Sequence, residues 1–176
     1  MTIATFDTVL INGSVGTGKT TTAEMLGDMV RQRGIPGAVI DVDWLRRSWP
    51  SPADDPFRTA LAMKNMQAIT ANFRHAGARL IVVANVVETK DELERAAAAL
   101  AARSMLHVRL TASPDTVLSR LTRRHDDETA LRWHAQRHPE LADILDRAGF
   151  INDLRIDTTD KPVANVAQEI LAAIVG

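Results

Sequence analysis

Gly13-Ser14-Val15-Gly16-Thr17-Gly18-Lys19-Thr20 is the stretch on which the fold class of this chain turns. The apolar run Thr8-Val9-Leu10-Ile11-Asn12 leads into it, and a helical pattern leaves it from Lys19 to Arg33. The spacing is G-x-x-x-x-G-K-[ST], in the strand-to-helix context that a phosphate-binding loop requires. Glycines let the backbone curl its N–H groups around an anion, in conformations that a Cβ obstructs. The helix start adds partial positive charge beneath that anion. Residues Gly13 to Gly18 are therefore candidates to wrap the phosphates of a nucleotide, with Lys19, Thr20 and Thr21 beside them. Lys19 has the reach for the β- and γ-phosphates and Thr20 the hydroxyl for Mg²⁺, so a nucleoside triphosphate and Mg²⁺ are the expected cofactors, ATP being favoured over GTP by the rest of the sequence.

Outward from this stretch, short apolar runs alternate with helical patterns. Gly34 sits where a left-handed residue ends the first helix. Ala38-Val39-Ile40 and Leu80-Ile81-Val82-Val83-Ala84 read as buried parallel strands, and a helix spaced on Leu61, Met63, Met66, Ile69 and Phe73 fills the interval from Phe57 to His75. Thr89 and Glu92 form a capping box for an Ala-rich helix to about Arg103. Met105 to Leu110 predicts a fourth strand, Ser113-Pro114 another helix start, and 120–148 a polar, Arg-rich helical stretch. Phe150 to Ile156 predicts a fifth strand, and Pro162 to Val175 a closing amphipathic helix. Strands alternating with helices imply right-handed crossovers and a parallel sheet covered on both faces. The expected fold is α/β, in three layers, with a five-stranded parallel sheet and one domain over 1–176 carrying a helical lid at about 120–138.

Composition narrows the function classes. The chain has 176 residues, 45% hydrophobic and 24% charged, which is globular. A net charge of −1 gives no field for a nucleic-acid coat or a polybasic membrane binder. The absence of cysteine removes disulfides, thiolate metal sites and cysteine nucleophiles. No apolar run approaches the length of a membrane span, and the first ten residues lack a signal-peptide pattern. The expectation is a soluble, cytoplasmic monomer or homodimer acting on a small molecule, with neither nucleic acid nor membrane as partner.

Asp41-Val42-Asp43-Trp44-Leu45-Arg46 follows the second strand. Ligands of open α/β sheets bind beyond the carboxyl ends of the strands, so Asp41 and Asp43 should approach the phosphate site. In this hexapeptide and the glycine loop the chain resembles the small-molecule P-loop kinases: D-x-D-x-x-R is similar to the adenylyl-sulfate kinase pattern, and gluconate and shikimate kinases carry related acidic motifs. The layout of nearly the whole chain is similar to theirs, which implies the P-loop NTPase fold. By that resemblance Asp43 accepts the proton of an acceptor hydroxyl or organises Mg²⁺ with Thr20, while Asp41, Asp43 and Arg46 bind the acceptor. Read from the residues alone, Asp43 is equally the N-cap of a short helix and Arg46 a solvated charge. The resemblance also implies that Arg120, Arg123 and Arg124 open the lid. Lys19, Arg120 and Arg124 would then act on the transferring phosphoryl group. It places the loop Thr158 to Pro162, Thr158, Lys161 and Pro162 in particular, beside the adenine, with a lid arginine such as Arg120 on the other face. A solvated helix face and a capped turn are the alternatives for those two segments. The chain departs from the usual pattern at the end of its third strand, where Asn85 replaces a metal-organising aspartate and Glu88 is the nearest acid, so metal organisation falls to Thr20 with Asp41 or Asp43, or to Glu88.

Trp44, Trp49, Phe57 and Phe73 lie between the second and third strands, over the ground an acceptor occupies in this architecture. They predict either a helical cap packed on itself or a flat, partly apolar substrate. His125, His134 and His138 lack a metal-binding spacing such as H-E-x-x-H, and Arg132 to His138 fits a lid or an anion contact better. N-K-x-D, which reads guanine in GTP-driven switches, is absent. The expected activity is transfer of the γ-phosphoryl group of ATP to a hydroxyl of a small molecule. The alternative is a nucleotide-binding regulatory ATPase without an acceptor.

Overall fold

Successive residues of β1 (Thr8–Gly13) face opposite layers, and all six are buried. Val9 and Ile11 join one core with Leu26 and Val30 of α1 (Lys19–Gln32) and Ile170 and Leu171 of α7 (Val163–Val175). Leu10 joins the other with Met66 of α3 (Thr59–His75) and Ala96 of α4 (Lys90–Ala99). The computed structural model describes residues 5–124, 128–149 and 152–175. Among these, β2 (Gly37–Asp41), β3 (Leu80–Ala84), β4 (Met105–Thr111) and β5 (Leu154–Asp157) complete one sheet in the order β2-β3-β1-β4-β5, parallel throughout. The three-layer α/β fold read from the sequence is the observed one. Chain order reverses beside β1, so the glycine loop opens at a switch point between β3 and β4, where a parallel sheet offers its ligand crevice.

Local differences from the expected elements have local causes. The short helix after β2 is α2 (Val42–Leu45), capped by Asp41, whose Oδ1 accepts from Asp43 N at 2.9 Å. Asp43 is thus inside the helix and does not cap it. The expected helix start at Phe57 moves to Thr59, because the Asp55 carboxylate accepts from Thr59 N and Leu61 N. Helix α4 stops at Ala99, short of Arg103, with Ala101 at φ 47 turning the chain toward β4. Strand β5 begins at Leu154, after Asp153 has accepted from His107 N at 2.7 Å. Phe150 and Ile151, read as its beginning, lie outside the described residues. Two helices, α5 (Pro114–Arg124) and α6 (Glu128–Arg147), pack together where the lid is expected, α6 running nine residues past His138.

One buried side chain joins the loop to the segment that leaves β3. Asn12 Oδ1 accepts from Gly13 N at 2.8 Å and from Val87 N at 3.2 Å, and its Nδ2 donates to the Val87 carbonyl at 2.9 Å. Leaving buried backbone groups unpaired costs about 1–3 kcal/mol each before relaxation. Asn12→Ala is expected to lower unfolding free energy by about 2–4 kcal/mol in a urea titration. A change below about 0.5 kcal/mol, the range of an ordinary surface substitution, would contradict this role.

Candidate active site

The glycine loop needs glycine at the two positions where its neighbours come closest. A Cβ on Gly13 would stand 2.6 Å from the Leu110 carbonyl, and one on Gly16, at φ +77, would stand 2.7 Å from Val117 Cγ1 of α5. Gly18, left-handed at φ 92, starts α1 without a side-chain cap. The helix therefore presents its first N–H groups to whatever anion enters.

Side chains hold the loop by its carbonyls. The Ser14 carbonyl accepts from Thr17 Oγ1 and from Lys19 Nζ, both at 2.9 Å. The Val15 carbonyl faces His138 Nδ1 at 3.0 Å. The Gly16 carbonyl accepts from Arg120 Nη1 at 3.2 Å, and the Thr17 carbonyl lies 3.1 Å from Thr158 Oγ1, whose single proton it shares with the Thr111 carbonyl at 3.0 Å. Four consecutive carbonyls are thus engaged, which leaves the loop's amides as the groups available to phosphate oxygens.

His138 carries a further constraint. A carbonyl only accepts, so the contact with Val15 requires the ring proton on Nδ1. Ser14 Oγ, 2.9 Å from the same nitrogen, then accepts from that shared proton. Burial pushes the His138 pKa below the ordinary histidine value; the Val15 contact opposes this, and the charges of Lys19 and Arg109 reinforce it. Next to His138, Arg137 reaches the Glu88 carboxylate at 3.1 Å, fastening α6 to the chain leaving β3. Farther along α6, Arg109 of β4 donates to the Ala142 carbonyl and to Asp146.

In front of the loop, Thr20 Oγ1 donates to Asp41 Oδ2 at 2.7 Å. A hydroxyl and a carboxylate are hard oxygen donors of the kind Mg²⁺ takes, one or two at a time, leaving room for phosphates and water. Asp43 stands apart: its side chain is 81% exposed and sits 3.6 Å from Arg46 Nε. Glu88 is engaged by Arg137 and, through its backbone N–H, by Glu92. Among the described residues no three or more His, Asp or Glu side chains gather to hold a metal by themselves.

Arg120 donates to Thr158 Oγ1 at 2.9 Å and to the Thr158 carbonyl at 2.6 Å as well as to Gly16, so it braces the loop against β5's exit. Burial, then the neighbouring Arg123, lowers its pKa from the usual guanidinium value. Arg123 bonds to Ser119 of its own helix. The Arg124 side chain and His125 lie outside the described residues. Thr158 is buried against the loop, Lys161 is paired with Glu169 at 2.6 Å, and Pro162 precedes α7. Thr21 returns to the Gly18 carbonyl at 3.1 Å. Sequence reading missed the loop contacts of Asn12 and His138. A polar residue ending an apolar strand was a visible signal for Asn12; nothing local announces a partner 124 positions away. A groove of about 690 Å³ between α1 and β2, lined by Gly27, Ile35 and Val39, lies at the amino ends of the strands and holds none of this chemistry.

A family described as AAA domain matches residues 9–138. The chain belongs to that family. Solved structures align with this AAA domain over nearly its whole length. A gluconokinase from Sinorhizobium meliloti is 20% identical, covers 94% of this chain and 90% of its own, with a TM-score of 0.62. The APS kinase of Mycobacterium tuberculosis is 20% identical, covers 95% and 96%, with a TM-score of 0.63. A tunicamycin resistance protein from Deinococcus radiodurans is 23% identical, covers 94% and 93%, with a TM-score of 0.59. No curated protein sequence matches the chain. The AAA domain thus has the fold of small-molecule P-loop kinases, as its motifs implied. No helix among the described residues is long and apolar enough to cross a membrane.

The His138 contact yields a pH prediction. In the unfolded chain a histidine takes up a proton as pH falls through about 6.5, whereas the folded ring resists until lower pH. The unfolded state binds more protons in that window, so the stability His138 contributes is present above it and is lost as pH falls through it. The melting temperature should drop more between about pH 7.5 and about pH 5.5 in the native sequence than in His138→Asn, whose amide N–H replaces Nδ1–H without titrating. Equal drops would contradict the assignment.

Proposed function

We propose that the chain is an ATP-dependent phosphotransferase that moves the γ-phosphoryl group to a hydroxyl of a small molecule. The observation that carries this reading is the row of oxygen donors before the loop: Thr20 against Asp41 at 2.7 Å, with the exposed carboxylate of Asp43 two residues on. In this mechanism the loop amides bind the β- and γ-phosphates, and Lys19 Nζ leaves the Ser14 carbonyl for them. Thr20 and Asp41 would hold Mg²⁺, which would supply neutralising charge to the phosphates. Asp43 orients the acceptor hydroxyl and takes its proton as the acceptor oxygen bonds to phosphorus and the bond to the bridging oxygen breaks. Arg46 steadies Asp43 and meets polar or anionic parts of the acceptor. Helices α5 and α6 exclude water, and the loop Thr158 to Pro162 lies along the base.

The regulatory-ATPase reading has one observation in its favour: Arg120, aligned by motif with a lid arginine, is engaged by Gly16 and Thr158. ADP release from Mg-ATP, measured across nucleosides, sugar acids, adenylyl sulfate and hydroxylated antibiotics, separates the two. A phosphotransferase is stimulated by one class. Lys19→Ala should lower that rate by about a hundredfold or more. Asp43→Asn should lower it by about a hundredfold to ten-thousandfold while ATP still binds, and Asp41→Asn should raise the Mg²⁺ concentration required. ATP binding without stimulation by any class, and indifference to Asp43→Asn, would overturn the reading in favour of the regulator.

A further inference from the structure

Every tryptophan of this protein is exposed. Trp44 is 66% exposed, Trp49 87% and Trp133 58%, and Phe57 joins them at 75%. This is not a general failure to bury rings, because Phe6 and Phe73 pack on the two cores. The expectation that Trp44, Trp49 and Phe57 form a cap packed on itself is therefore not what the structure shows. Large rings left in water mark a surface that something else covers.

The rings occupy only two segments, and both are anchored at the mouth of the phosphate loop. Trp44, Trp49 and Phe57 lie on residues 42–58, which start at Asp41, the carboxylate that receives Thr20. Trp133 lies on α6 one turn before Arg137, which bonds Glu88, and His138, which faces Val15. Residues 42–58 are also held in shape. Asn65 donates to the Leu45 carbonyl at 2.7 Å, Arg58 to the Ser48 carbonyl at 2.8 Å, and Asp55 caps α3. Those bonds take up Asn65 Nδ2, Arg58 Nε and the Asp55 carboxylate in holding the segment itself. Toward solvent the segment presents its rings, which make up most of its large exposed side chains, with the Asp43 carboxylate, Arg47, Ser51 and Asp54 between them. Arg47 lies over the Trp44 ring at 4.4 Å, and Arg46 Nε is buried without a hydrogen-bond partner.

Resting on the phosphotransferase reading, we infer that the acceptor hydroxyl belongs to a molecule with a planar, apolar body, held by Trp44, Trp49 and Phe57 on one side and Trp133 of the lid helix on the other. Rings stack on a planar body without demanding directional hydrogen bonds, while Asp43 selects the hydroxyl. A polyhydroxylated acid would bring several hydrogen-bonding groups to rings that cannot satisfy them.

The test uses the full chain with Mg-ATP and two sets of probe alcohols: thymidine, benzyl alcohol and naphthalenemethanol against gluconate and glycerate. ADP release and quenching of tryptophan emission are read for each. The planar set should stimulate release and quench, and Trp49→Leu and Phe57→Leu should raise its KM by about tenfold or more, with the smaller effect on kcat. Trp49→Phe should recover most of the loss, and an unchanged melting temperature shows that the variants fold. Stimulation by gluconate or glycerate in preference, or planar KM values indifferent to both substitutions, overturns the inference while leaving the phosphotransferase standing. Quenching by planar alcohols without ADP release from any alcohol supports a planar-ligand site and overturns the phosphotransferase instead. Emission that shifts with protein dilution and not with any alcohol assigns the rings to a second copy of the chain and overturns the inference.

Discussion

Four consecutive carbonyls, from Ser14 to Thr17, point at side-chain donors, and the rest of the site depends on that arrangement. A loop that must offer its N–H groups to an anion has no ladder of its own to hold it, so its carbonyls need fixed partners elsewhere. Lys19 and Thr17 supply them from within the loop and α1, Arg120 from α5, His138 from α6, and Thr158 from the end of β5. Asn12 pins the loop's first amide to the strand end and to Val87. The loop is therefore a meeting point of the sheet with α5 and α6, and a displacement of either helix would be felt at its carbonyls.

Polarity is distributed around this centre in a way that separates two tasks. Behind the loop, cations and the His138 imidazole hold oxygens of the backbone. In front of it, the hydroxyl of Thr20 and the carboxylates of Asp41 and Asp43 face the space beyond the strands. Asp41 lies against Thr20, and Asp43 is offered outward beside Arg46. Two carboxylates separated by one residue thus have different surroundings, because the first caps α2 and the second begins its exposed face. Exposed rings continue the same surface along residues 42–58.

Much of this was legible in the sequence, and the limits have physical causes. Glycine spacing, the apolar runs before and after it, and helix stops such as Gly34 and Gly77 are local signals, and the strands, helices and phosphate loop follow from them. The acidic hexapeptide placed Asp41 and Asp43 near the loop, but not which of them meets Thr20; that was decided by the cap on α2, a choice between two aspartates equally suited to it. Arg120 and Thr158 were singled out, yet their contact with each other and with Gly16 depends on how α5 and β5 pack. His138 reads in the sequence as part of a lid or an anion contact, since hydrogen bonding to Ser14 and Val15 across more than a hundred positions leaves no periodicity to read. Ring exposure at Trp49 and Phe57 was likewise invisible, because the same composition serves a buried cap.

The central claim is that a nucleotide's terminal phosphoryl group, held on this loop, passes to an alcohol and not to water. Phosphorus NMR of the full chain with Mg-ATP and a mixture of acceptor alcohols follows that group directly. The account predicts that the γ-phosphate signal is replaced by that of a phosphomonoester growing in step with ADP, and that Lys19→Ala stops the conversion. Conversion to inorganic phosphate alone, or no consumption of ATP with any alcohol present, would contradict it.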